Sequence, residues 1–121
     1  MIQGLRTVIY PVTDLAAAKV FYSKVLGKEP YFDQPFYVGY SVGGFELGLI
    51  PDGVPSIAGS QAFWGVGDAA AEMERLAEMG AEVIEAVKDV GGGIKVGSVK
   101  DPFGNLLGVI ENPHFDLKNV R

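Results

Sequence analysis

Gly44-Phe45-Glu46-Leu47-Gly48-Leu49-Ile50 and Gly104-Asn105-Leu106-Leu107-Gly108-Val109-Ile110 are one strand written twice. The repetition continues upstream. Val12-Thr13-Asp14 closes an apolar stretch and opens an alanine-rich segment that runs to Gly27; Val66-Gly67-Asp68 does the same before a segment that runs to Gly80. Self-similarity at this spacing means one small unit duplicated, whose copies bury a shared surface. With 121 residues in all, the copies are expected to be halves of a single domain. The first repeat covers about residues 5–51, a linker about 52–60, the second repeat about 61–112 and a tail 113–121.

Each copy has the same order of elements. Leu5–Val12 is rich in apolar and β-branched residues and reads as a strand ending at Thr13-Asp14. Asp14 is a suitable N-cap, because its carboxylate can accept from the free N–H groups of the first helical turn. Leu15, Ala18, Tyr22, Val25 and Leu26 then recur at helical spacing, and Gly27 supplies a left-handed cap. A short strand near Pro30–Asp33 precedes Phe36–Val42 and Phe45–Ile50, which Gly43-Gly44 joins as a tight hairpin. In the second copy the strands are Gln61–Val66, Glu82–Val87, Ile94–Val99 and Asn105–Glu111. Its helix, Asp68–Met79, turns Ala69, Met73, Leu76 and Ala77 inward and Glu72, Glu74, Arg75 and Glu78 outward. The fold class is α+β, two tandem βαβββ units with curved mixed sheets and helices outside.

Composition narrows the function. A net charge of −5 argues against nucleic acid and anionic membrane as partners. The chain has no cysteine, which removes disulfides and thiolate chemistry. Neither a membrane span nor a secretion signal is legible, so a cytoplasmic protein is expected.

The duplicated unit resembles the vicinal oxygen chelate superfamily, which includes glyoxalases, bleomycin-resistance proteins and extradiol dioxygenases. The resemblance runs from about Leu5 to Asn112. It is carried by Val12-Thr13-Asp14-Leu15 with Phe21-Tyr22-Ser23-Lys24-Val25-Leu26-Gly27, and by Asp101-Pro102-Phe103-Gly104-Asn105 before the last strand. It implies a cup of two curved half-sheets holding ligand and metal, with His, Glu or Gln ligands on the first and last strand of each half. The matching positions here are Thr7, Gly48, Gln61 and Gly108. One amide, one hydroxyl and two positions without side chains fall short of the roughly three protein ligands a catalytic metal requires. No metal and no other cofactor is therefore expected, and the resemblance is to the bleomycin-resistance branch.

Strand alternation assigns the concave face. A two-residue turn at Gly43-Gly44 pairs Ser41 with Glu46 and Gly39 with Gly48, so Tyr37, Gly39 and Ser41 oppose Glu46, Gly48 and Ile50. Phe36, Val38, Tyr40 and Val42, with Leu47 and Leu49, take the helix-packed face. Reading Asp101–Gly104 as a four-residue turn pairs Gly97 with Gly108 and adds Lys95 and Val99 to the concave side. Candidate ligand-binding residues in the first repeat are thus Thr7, Ile9, Tyr37, Gly39, Ser41, Glu46, Gly48 and Ile50. In the second they are Gln61, Phe63, Lys95, Gly97 and Gly108. Glycines in pairs on the concave side are expected to leave room for a bulky ligand, with Tyr37 and Phe63 as apolar walls. Trp64 and Tyr10 are assigned to the core.

Gly91-Gly92-Gly93 lacks the Gly-Lys-Ser/Thr of a phosphate loop and reads as a loop over the cup mouth. The one histidine, His114, falls in the tail outside every motif. The function expected is metal-independent binding of an aromatic or amphipathic small molecule by a homodimer. The rival is a lyase, isomerase or dioxygenase that uses a metal outside the family positions, or Glu46 as a base.

Overall fold

The computed structural model describes Met1, Gln3 and residues 5–120; Ile2, Gly4 and Arg121 lie outside the described residues. The chain divides into two compact units, each built on one βαβββ repeat. The first contains β1 (Thr7–Pro11), α1 (Leu15–Leu26), β2 (Phe32–Gln34), β3 (Tyr37–Val42) and β4 (Phe45–Ile50). Its sheet runs in the order β1-β4-β3-β2, with β1 parallel to β4 and the other pairs antiparallel. The second contains β5 (Phe63–Gly65), α2 (Ala69–Glu78), β6 (Glu82–Asp89), β7 (Lys95–Lys100) and β8 (Leu106–Glu111), in the order β5-β8-β7-β6. Each sheet is mixed, four-stranded and open. A 3-10 turn at Leu117–Asn119 lies in the tail.

Local chemistry sets the helix ends. The Asp14 carboxylate accepts from the Ala17 N–H at 3.0 Å, and Asp68 accepts from Ala71 N–H at 3.1 Å. α1 stops where Gly27 adopts φ 67°, a left-handed conformation costly for any residue with a Cβ. Gly43 and Gly44 both take positive φ, as a two-residue hairpin between right-twisted strands demands.

In the first unit Val38, Tyr40, Leu47 and Leu49 line the helix-packed face and are essentially fully buried against Ala18, Phe21 and Tyr22 of α1. Each buried aliphatic chain there is worth roughly 1.5–3 kcal/mol over its exposed state. Phe21 belongs to this core although the stripe Leu15, Ala18, Tyr22, Val25, Leu26 omits it; its ring meets Tyr22 edge-on at 5.0 Å and Phe103 at 5.9 Å. The buried Tyr40 hydroxyl donates to the Lys19 carbonyl at 3.0 Å and lies 2.9 Å from Ser23 Oγ. Tyr10 is buried and packs on Tyr22 at 5.9 Å. In the second unit Ala69, Met73 and Leu76 are buried on α2, whereas Ala77 is exposed and Trp64 is half-buried.

The two β-hairpins compare differently with expectation. β3 and β4 pair as the tight turn requires, Gly39 with Gly48 and Ser41 with Glu46. β7 and β8 are one residue out: Lys100 pairs with Leu106, Gly97 with Val109 and Ser98 with Gly108. The loop is therefore Asp101–Asn105 rather than Asp101–Gly104. Asn105 is buried and its Nδ2 donates to the Pro11 carbonyl at 2.6 Å, a bond that holds it in the turn and out of the strand. A slip of one residue exchanges the faces of a strand.

Candidate functional site

The helix-free face of the first sheet carries the richest chemistry among the described residues. β3 and β4 bring Gly39, Ser41, Glu46 and Gly48 together, and the parallel β1 sets Thr7 beside Glu46 and Ile9 beside Gly48. β2 adds Phe32 opposite Gly39 and Gln34 opposite Tyr37.

Glu46 lies at the centre. The Tyr31 hydroxyl donates to its Oε1 and the Tyr37 hydroxyl to its Oε2. Tyr37 is half-buried, and burial, followed by the hydrogen bond to Glu46, pushes its phenol up to about 12. Tyr31 is raised as well, chiefly by its bond to Glu46. The Phe32 ring stands 6.0 Å from both Phe36 and Tyr37 in edge-on contacts. Tyr31, Phe32 and Phe36 remain exposed, so a carboxylate held by two tyrosines adjoins an aromatic cluster open to solvent.

The glycines of this face accommodate tyrosines. A Cβ added at Gly48 would lie 2.6 Å from Tyr37 Cζ, and one at Gly39 would lie 3.0 Å from Tyr37 Cε1 and 3.3 Å from Tyr31 Cε1. The bare backbone thus lets Tyr37 lean along the sheet as far as Glu46. The open volume expected above Gly48 is filled by that ring. Two shallow depressions of about 280 and 340 Å³ lie instead beside α1, around Lys19 and Lys24 and around Leu15 and Asp33, and include neither Glu46 nor either glycine.

In the second unit, Gly108 is opposed by Phe63 on β5 and Ser98 on β7, and the half-exposed Phe63 ring covers it. Gly97 and Lys95 lie on the side opposite to the concave one expected for them. Gly97 faces α2, where an added Cβ would lie 3.1 Å from Met73 Sδ, and Lys95 shares that side of β7 by alternation. Val99 is fully buried on the same side, and the buried Ser98 takes the place expected for Gly97. The cause is the extra turn residue, Asn105. Gln61 precedes β5 and is exposed.

Strand alternation assigns no role to Tyr31 or Phe32 and puts Phe36 on the helix-packed side. Phe36 is 64% exposed because it precedes β3 and escapes its alternation. The available signal was an aromatic pair on either side of Asp33-Gln34-Pro35; the chain turns at Pro35-Phe36 and runs β2 back along β3.

Thr7 and Gly48 in one unit, and Gln61 and Gly108 in the other, do not supply a metal's donors. Among the described residues no three His, Cys, Asp or Glu side chains cluster as a metal site elsewhere. His114 hydrogen-bonds the Gly92 carbonyl through Nε2 at 2.7 Å, tying the tail to the glycine loop.

The model of the Glyoxalase/Bleomycin resistance protein/Dioxygenase superfamily matches residues 4–109. The chain belongs to that superfamily. A search among curated proteins finds no match. Among solved structures, a glyoxalase-related enzyme from Fulvimarina pelagi is similar at 23% identity and TM-score 0.77, over 93% of this chain and 90% of its own. A lactoylglutathione lyase from Agrobacterium tumefaciens is similar at 20% identity and TM-score 0.74, over 96% and 100%. A glyoxalase/bleomycin resistance protein from Catenulispora acidiphila is similar at 22% identity and TM-score 0.67, over 91% and 100%. At such identities the likeness is one of fold. Superfamily membership accounts for the paired βαβββ units and leaves the chemistry to the site's own residues.

Proposed function

We propose that this protein is a small-molecule-binding member of the superfamily, of the bleomycin-resistance kind, taking an aromatic or amphipathic ligand without a resident metal and acting as a homodimer. The observation that carries the reading is Glu46 held by Tyr31 and Tyr37, with Phe32 packed edge-on against Tyr37 and Phe36 against Phe32. Exposed aromatic rings around a few fixed polar groups are the usual make-up of a small-molecule site. The family's metal positions support it from the other side, since Gly48 and Gly108 offer no donor atom and the space above each is taken by an aromatic ring.

The test is a thermal-shift screen of aromatic compounds, run beside metal analysis by mass spectrometry after incubation with nickel, zinc, iron and manganese. A ligand at about a hundred times its Kd adds about 2.7 kcal/mol, a melting shift on the order of 10 °C. The expected result is such a shift with an aromatic compound and substoichiometric metal. Stoichiometric metal, or no shift with any compound, overturns the reading. Turnover of a bound compound that Glu46→Gln abolishes, with binding retained, would replace it with an enzyme using Glu46 as base.

A further inference from the structure

Glu46 is a carboxyl group with no ion-pair partner among the described residues. None of the ion pairs among the described residues includes it; these join Lys19 to Asp33, Arg75 to Glu72, Lys88 to Glu85 and Lys100 to Glu82. What it has is one phenol hydrogen on each oxygen. A carboxylate offers about four acceptor positions, so one remains on each oxygen. Phenols supply hydrogen bonds but no charge, and the negative charge is left uncompensated beside aromatic rings that shed water.

From this geometry we infer that the ligand presents a planar, delocalised cation with two N–H donors on one edge, as in an amidinium, a guanidinium or a protonated aminoheterocycle. The inference rests on the reading above that this face binds a small molecule. Two parallel N–H groups match the free acceptor position on each carboxylate oxygen, the fork geometry in which charge-assisted hydrogen bonds are strongest. The rest of a flat cation finds aromatic rings to lie against. Phe32 stands edge-on to both Phe36 and Tyr37, and Phe32 and Phe36 are exposed to solvent, so their rings are accessible to a ligand. Delocalised cations stack on such faces and are weakly hydrated, so they lose little on leaving water. A tetrahedral quaternary ammonium would gain the rings but could give Glu46 no hydrogen. An anion would meet both the carboxylate and a chain of net charge −5.

Benzamidine is the probe, with neutral benzamide, anionic benzoate and tetramethylammonium as controls, each titrated into the whole protein by calorimetry and by ring-proton NMR. Benzamidine is expected to bind saturably and to move tyrosine ring signals, at least about ten-fold more tightly than any control, as a charged hydrogen-bonded pair implies. Glu46→Gln should lose that margin while the far-ultraviolet circular dichroism stays unchanged. The comparison of benzamidine with benzamide needs no variant, so it stands even if Glu46→Gln fails to fold. Equal binding of benzamide, or benzamidine binding undiminished in a folded Glu46→Gln, overturns the cationic ligand and leaves an aromatic site. Failure of benzamidine to bind in a protein that does bind neutral aromatic compounds from the thermal-shift screen also overturns it. Failure of every aromatic compound tried overturns the site itself.

Discussion

A phenol that donates to a carboxylate resists losing its proton, because the phenolate would face the carboxylate's charge. Tyr37 meets this condition and burial besides, and its phenol rises from 10.0 to about 12. A raised value in the folded state means the contact's stabilisation is fully present below about pH 10 and fades as the pH climbs through about 12. Followed by near-ultraviolet absorbance, Tyr37 should ionise above the ordinary tyrosine range. Glu46→Gln should bring it part of the way back, because burial, the larger cause, stays. Tyr37 titrating at the ordinary value, unaltered by Glu46→Gln, would dissolve the hydrogen bond on which the site is built. Of these residues, Tyr37 and Glu46 were legible in the sequence because both lie on strands of a hairpin whose register a two-residue turn dictates. Tyr31 was not, since it precedes β2 and reaches Glu46 only through the path of the chain.

At the level of elements, the glycines of the last strand in each repeat look equivalent and are not. A Cβ at Gly108 would stand 2.7 Å from the Ala62 carbonyl oxygen, which is backbone, and 2.7 Å from Phe63 Cδ1. Gly108 N–H also donates to that same carbonyl at 3.0 Å, so β5 and β8 cannot separate without losing a hydrogen bond. Gly108→Ala should cost about 1–3 kcal/mol as overpacking, lowering the melting temperature by roughly 4–10 °C. At Gly48 the obstacle is the far end of the Tyr37 side chain, which can swing aside. Gly48→Ala should therefore keep most of the stability, break the Tyr37–Glu46 bond and weaken ligand binding. Calorimetric melting of both variants decides the matter: equal losses would mean that the two strands are built alike.

Across the whole molecule, two open sheets leave strands without partners at both edges of each. β6 runs for eight residues and is exposed along nearly all of them, and Ile9 on β1 and Phe63 on β5 are exposed apolar side chains on edge strands. Open edges invite pairing between copies, the physical ground for the proposed homodimer. Light scattering should return twice the 12.9 kDa chain mass across a dilution series; a constant 12.9 kDa would end that proposal. No helix among the described residues is long and apolar enough to cross a membrane. The duplication, the helices capped by Asp14 and Asp68 and the β3–β4 register were all determined by the sequence itself. The caps and the register depend on residues within a few positions of one another, where turn and cap geometry leave little choice, and the duplication is plain from setting one half of the sequence against the other. The β7–β8 register, the leaning of Tyr37 over Gly48 and the arrival of Tyr31 at Glu46 were decided by tertiary structure. Asn105 enters its turn for a hydrogen bond to Pro11, far away in the chain, and Tyr37 can lean only where an opposing strand carries no Cβ. Contacts between distant residues depend on how packed elements meet, and local spacing carries no record of that.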